Sequence, residues 1–199
     1  MQTNFIESQT RVNLMRAFAG ECQARQRYYM AALTAEQQKL IGIGRLFRYT
    51  AEQEERHAIV FFKQLKASAG QNIDISAGFP ADVFDGLQEL LDAAAHGEEQ
   101  EFSVVYPDFA RIARDEGYPD VAAKFEMIGK IENSHLERFR YYADLMRSDK
   151  LFRSDSTEEV WICLNCGHIH TGSEPPRQCP VCSSEQGYFI REKEAPFTR

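Results

Sequence analysis

The sequence predicts an all-α protein, a four-helix bundle made from a duplicated helical hairpin, with a small metal ribbon at its C-terminal end. Three observations carry this reading. Glu-x-x-His occurs twice in helix-compatible runs, at Glu54/His57 and Glu132/His135. Glu54 follows Glu21 by 33 residues and Glu132 follows Glu98 by 34, and a shift of 78 superimposes both pairs and also Phe47 on Phe125. Four of the five cysteines, Cys163, Cys166, Cys179 and Cys182, fall within 20 residues as two Cys-x-x-Cys knuckles. A hairpin folded onto its own copy has pseudo-twofold symmetry, which sets the two Glu-x-x-His pairs face to face across the core.

The elements follow in order. A first helical run is expected over about residues 5–38, closed by Gly42 and Gly44, and a second over about 45–69, closed by Gly70. Residues 71–80 read as a loop. The third run, about 82–116, contains Pro107, which should kink or disrupt it; the fourth starts at Pro119, well suited to a first helical turn, and reaches about Arg147. Residues 148–159 are polar and aperiodic, a linker between a bundle at 1–147 and a ribbon at 160–199. A module of that size needs its metal in order to fold.

The glutamates fall on the apolar stripes, where ordinary surface glutamates do not belong. The steps run Leu14, Phe18, Glu21, Arg25, Tyr28 in the first helix and Phe47, Thr50, Glu54, His57, Phe61 in the second. They run Leu91, Ala94, Glu98, Glu101, Val105 in the third and Phe125, Ile128, Glu132, His135, Phe139 in the fourth. Five carboxylates in an apolar core would repel one another and lose hydration worth several kcal/mol each. Two divalent ions would neutralise them, and a mixed carboxylate and imidazole set suits iron or manganese, with zinc able to enter. Glu101 exceeds what a simple duplicated site needs; its counterpart is Ala24. It is either a carboxylate competing with His57 for one metal or a solvated neighbour. The knuckles can hold one tetrahedral ion through four thiolates, and their spacing leaves iron and zinc open.

Composition excludes some partners. With 30 acidic against 23 basic residues, a net charge of −7 and no basic stripe, a nucleic-acid partner is not expected. No leader-like segment and no run of roughly 20 apolar residues is present, so a soluble, unexported protein is expected. An odd cysteine count in knuckle spacing fits metal binding in the reducing cytoplasm better than disulfides.

Ala19-Gly20-Glu21, Gln53-Glu54-Glu55-Arg56-His57, Gly97-Glu98-Glu99-Gln100-Glu101, Tyr106-Pro107-Asp108-Phe109, Glu132-Asn-Ser-His135 and the cysteine tail together resemble the rubrerythrins over nearly the whole chain. The resemblance implies a ferritin-like bundle with a non-haem di-iron centre and a rubredoxin-like tail holding one Fe(SCys)4, where zinc can also sit. It implies Glu54 and Glu132 as bridging carboxylates, Glu21 as terminal ligand to one iron, and Glu98 with His135 as terminal ligands to the other. Glu101 and His57 would be alternative ligands to the first iron, in its oxidised and reduced states respectively. Tyr28 and Tyr106 match tyrosines beside the ligands. The implied activity is reduction of hydrogen peroxide to water in oxidative-stress defence. Electrons would come through the tail from an NAD(P)H-dependent rubredoxin reductase or similar donor, within a head-to-tail homodimer.

The chain departs from the family pattern at Phe102, where tryptophan is expected, at Val105, where methionine is usual, and at Cys22, which reads as a small buried apolar residue in preference to a peroxide-sensitive thiol. Two other readings stand beside this one. A ferroxidase would release its iron as product and have no use for a redox tail, and a zinc-ribbon interaction module on a metal-stabilised bundle would perform no redox chemistry.

Overall fold

The computed structural model describes residues 3–195. The Ser8 hydroxyl accepts from the Arg11 amide, satisfying a first-turn donor, and α1 runs from it over Gln9–Gln37. A 3-10 turn at Phe5–Glu7 precedes it. Helix α2 spans Ile41–Gln64 and tightens into a 3-10 turn at Leu65–Ser68. Helices α3, Leu87–Gln100, and α4, Tyr106–Asp115, form one column joined through a π turn at Glu101–Val105. Helix α5 spans Pro119–Arg147. The short α1–α2 and α4–α5 connections make two antiparallel hairpins, and the four columns form a ferritin-like bundle. Its apolar core is divided in two. One cluster holds Tyr28, Phe47, Leu91 and Phe139, the other Leu14, Phe61, Tyr106 and Phe125, and the glutamate–histidine layer lies between them.

Two boundaries differ from those expected. Gly42 and Gly44 lie inside α2, because the α1–α2 turn is made at Lys39, with φ 62° and Leu40 N–H donating to the Ala35 carbonyl at 2.9 Å. The glycines serve packing instead. A Cβ on Gly44 would come within 2.9 Å of Glu36 Cγ, and one on Gly42 within 2.7 Å of Ile190 in the tail. The third helix begins at Leu87, not near residue 82, since the Asp82 carboxylate reaches out to Arg27 at 3.8 Å and Gly86 takes the N-cap position. Pro107 disrupts the third column as expected, but as a π turn: Tyr106 N–H donates to the Glu101 carbonyl, five residues back.

That π turn accounts for the unequal intervals of the duplication. Gln37 and Asp115 end their helices 78 residues apart, and Ile41 and Pro119 start theirs at the same offset. Tyr28 and Tyr106 also differ by 78, yet Glu21 and Glu98 differ by 77. The second hairpin therefore carries one extra residue between Glu98 and Tyr106, and the π turn absorbs it while keeping both side chains directed into the core.

In the tail, β1 (Val160–Cys163) pairs antiparallel with β2 (Ile169–Thr171) and β3 (Phe189–Arg191), in the order β2-β1-β3. Trp161 and Phe189 fill its small core beside Cys163 and Cys179. The Arg191 guanidinium stacks on Trp161 and donates to the Lys150 and Arg153 carbonyls, fastening the linker to the tail. The tail rests on the α1–α2 end of the bundle, where Arg45 Nη1 donates to the Leu164 carbonyl at 2.9 Å and Tyr142 Oη donates to Glu194 at 2.9 Å. No helix among the described residues is long and apolar enough to cross a membrane.

Candidate metal centre

Two overlapping sets of donors meet at mid-bundle. Glu21, Glu54, His57 and Glu132 each offer a ligand atom within 4.8 Å of the others, and so do Glu54, Glu98, Glu132 and His135. Glu54 and Glu132 belong to both sets, and all six residues are at most 6% exposed. His57 Nδ1 lies 2.9 Å from Glu54 and 3.0 Å from Glu132; His135 Nδ1 lies 3.0 Å from Glu54 and 2.9 Å from Glu132. These atoms are close, but several are misaimed for bonding one another. Glu21 Oε2, Glu54 Oε1, Glu98 Oε2, both Glu132 oxygens and His135 Nδ1 have no hydrogen-bond partner. Buried polar atoms are rarely left so, and these fall within the two overlapping donor sets, as a pair of metal ions would require. Glu101 stands outside both sets, half-buried at the wall of a cavity.

The electrostatics agree. Burial, reinforced by the Glu54 charge, pushes Glu98 up to about 8. Burial also raises Glu21 and Glu101 well above the carboxylate range, with the Glu132 and Glu98 charges respectively adding to it. Burial would raise Glu54 too, but the two imidazoles win and hold it at about 2. Burial opposes protonation of the histidines, yet their carboxylate partners lift His135 to about 12 and His57 higher still. In a metal-free protein, protons supply the positive charge, so metal ions must displace them in order to bind.

Partners outside the donor sets orient them crosswise between the hairpins. Tyr28 Oη donates to Glu98 at 2.5 Å, and Tyr106 Oη donates to Glu21. Burial first, then neighbouring carboxylate charge, keeps both phenols protonated. His135 Nε2 donates to Gln53 Oε1 at 3.1 Å, which leaves Nδ1 facing the donor set, and Arg138 donates to the same oxygen at 3.4 Å. The position matching Gln53 in the second hairpin is Ile131, which has no acceptor to offer. The sequence reading missed Gln53 and Arg138 as partners. Glu54 being next to Gln53 in sequence does not reveal that Gln53 reaches across to α5. Cys22, expected to be buried, is exposed, because the step from Glu21 rotates it about 100° away from the core. Burial raises its thiol pKa, with Arg25 opposing.

The tail repeats one knuckle twice. Gly167 and Ser183 follow the second cysteine of each pair at φ +77° and 61°, and their amides donate to the Cys163 and Cys179 carbonyls at 2.8 and 2.9 Å. The Sγ atoms of Cys163 and Cys182 are 3.8 Å apart, those of Cys166 and Cys179 3.7 Å. That is far from a disulfide bond and close to the edge, about 3.8 Å, of a tetrahedron with metal–sulfur bonds of ~2.3 Å. Hydrogen bonds from the Ser184 hydroxyl and amide hold Cys182 down to about 5, which favours the thiolate a metal needs.

Two carboxylate-and-histidine pockets sharing their central glutamates, with a four-thiolate tail, define a dimetal bundle protein of the ferritin-like type carrying a rubredoxin-like module. The rubrerythrin family profile matches residues 13–143, and that of the rubrerythrin rubredoxin-like domain matches residues 161–190. The rubrerythrin of Clostridium perfringens is 42% identical over 188 residues, 94% of this chain and 96% of the relative. A solved structure of fully reduced nigerythrin superimposes with a TM-score of 0.62 at 28% identity, covering 95% of this chain and 93% of that one. A Mycobacterium tuberculosis bacterioferritin shares the bundle at a TM-score of 0.64 and 16% identity, over 74% of this chain and 90% of its own. The chain belongs to the rubrerythrin family. It is an iron-protein oxidoreductase with a di-iron carboxylate–histidine site in the bundle and a rubredoxin-like site in the tail.

Proposed function

We propose that the protein reduces hydrogen peroxide to water. The observation that carries this reading over iron handling is the four-cysteine tail, seated on the α1–α2 end of the bundle through Arg45 and Leu164. A ferroxidase, whose iron leaves as product, needs no such electron relay. When bound, a ferrous pair supplies the two electrons that, with two protons, turn one peroxide into two waters. Glu21, Glu54, His57, Glu98, Glu132 and His135 would hold that pair, with Glu54 and Glu132 shared. Glu101 and His57 would exchange at the first metal as its charge changes, because an anionic carboxylate favours the more positive ion. The Glu101 carboxyl, protonated through burial, stands at the cavity wall as a proton source, while Tyr28 Oη–H and Tyr106 Oη–H fix the terminal carboxylates.

Cys163, Cys166, Cys179 and Cys182 would hold the single iron that returns electrons one at a time, drawn from an NAD(P)H-dependent reductase in the cytoplasm. A head-to-tail homodimer would bring one chain's tail to its partner's bundle. Two measurements test the reading. Prereduced protein should be oxidised faster by peroxide than by dioxygen, with its iron retained. The Cys182→Ser variant should lose donor-linked turnover yet keep one stoichiometric oxidation of the bundle by peroxide. Undiminished turnover in that variant, or iron released upon oxidation, would reject the proposal.

A further inference from the structure

We infer that the cavity of about 520 Å³ between α1, the π turn and the 76–80 strap is the chamber through which peroxide reaches the bundle site, with Gly20 as its doorway and Phe79 as its size filter. The inference rests on the peroxidase reading above. Among the candidate ligands of the bundle, Glu101 alone is only partly buried, and its carboxylate forms part of the chamber wall. A Cβ placed on Gly20 would lie 3.8 Å from the Phe79 ring and 3.9 Å from Glu101 Oε1. The space left by this missing side chain is therefore about one methyl group wide, bounded by the aromatic ring on one side and the carboxylate on the other. It suits a molecule of two heavy atoms and excludes a branched hydroperoxide.

The strap can give way. Among the described residues, 73–80 make no backbone–backbone hydrogen bond, a Cβ placed on Gly78 would meet nothing within 4 Å, and Phe79 is 40% exposed. The strap is tied down beyond its end, by Asp82 to Arg27 at 3.8 Å. Arg16 and Arg27 also line the chamber, so its charge suits neutral or anionic solutes better than a free ferrous ion. The Glu101 carboxylate, at the inner end, then meets only what has passed Phe79.

Two variants of the full iron-loaded chain test this against three probes: hydrogen peroxide, tert-butyl hydroperoxide, and azide binding followed by its absorption band. Gly20→Leu fills the doorway at a helical position where a Cβ itself would make only ordinary contacts, and Phe79→Ala widens the filter on an exposed strap. Gly20→Leu should slow both azide association and oxidation by hydrogen peroxide at least about tenfold, with metal content unchanged. Phe79→Ala should raise the rate with tert-butyl hydroperoxide about tenfold or more and leave hydrogen peroxide within about twofold. Azide association in Gly20→Leu within twofold of the parent, or unaltered discrimination between the two peroxides in Phe79→Ala, would overturn the chamber. If the parent chain is not oxidised by peroxide at all but azide association still slows in Gly20→Leu, the chamber stands and the peroxidase reading falls.

Discussion

Glu21 and Tyr28 stand two regular turns apart in α1, whereas Glu98 and Tyr106, their counterparts, are separated by one more residue and a π turn. Both hairpins contribute the same donors: a terminal glutamate, a shared glutamate, a histidine one turn later and a crosswise tyrosine. They differ in what surrounds those donors. The second hairpin has Glu101 at a cavity wall where the first has buried Ala24, and the first has Gln53 where the second has Ile131. Duplication thus builds the metal cage, and small departures from it give the two donor sets unequal surroundings: His135 is pinned by Gln53, whereas Glu101 stands outside both sets at the cavity wall.

The largest test addresses what the hairpins share. Glu132 belongs to both donor sets, so Glu132→Ala should reduce bundle metal from two ions per chain to nearly none and abolish peroxide turnover, while the red tail iron remains. Metal analysis beside the visible spectrum checks this, and retention of one full equivalent would show that the two sites are independent. A smaller effect is expected where the hairpins differ. Gln53→Ile copies the second hairpin into the first and frees the His135 ring. Affinity for the metal at Glu98 and His135 should fall roughly 10- to 100-fold with the other site little changed, as read by competition with a chelator. Equal weakening of both sites would mean that Gln53 supports the bundle as a whole.

The inward-facing glutamates were legible in the sequence because each lies on a helix whose period sets its facing, so Glu21, Glu54, Glu98 and Glu132 could be placed inward from spacing alone. The 34-residue interval was visible too, but not its meaning. Pro107 announces a disruption without saying whether the chain kinks or gains a residue, and only the matching of Tyr28 to Tyr106 locates the insertion. Gly42 and Gly44 read as a helix stop because their real role, close approach to Ile190 and Glu36, depends on partners distant in sequence or in the next helix. Gln53 with His135, Arg45 with Leu164 and the Phe79 strap share that property, being tertiary contacts that no local pattern encodes.

The crosswise tyrosines offer a measure of how even the duplication remains. Tyr28→Phe strips a donor from Glu98, and Tyr106→Phe strips one from Glu21, each leaving a buried carboxylate oxygen unpaired. Each should cost the loaded protein about 1–3 kcal/mol in chemical denaturation, and the two costs should agree within about 1 kcal/mol. A larger gap would show that the π turn changes how firmly Tyr106 is held.

The smallest effect concerns protons and has opposite signs with and without metal. In chelator-stripped protein Glu98 titrates near 8, above its unfolded value, so its share of stability is present below the ordinary carboxylate pKa and is lost as pH rises through 8. His135, raised to about 12, contributes fully below its ordinary value near 6.5 and progressively less above it. Glu54, held at about 2, is ionised throughout the range from pH 5.5 to 8 and adds no slope there. The stripped protein should therefore melt at lower temperature at pH 8 than at pH 5.5, by roughly 2–4 °C for each kcal/mol lost. The metal-loaded protein should do the reverse, because its ligands must shed protons to bind and acid restores the competition. Calorimetry of both forms at the two pH values checks this. Parallel slopes would mean that the buried protons and the metal ions do not occupy the same donors, and the reading of the unpartnered oxygens as a metal cage would fail with them.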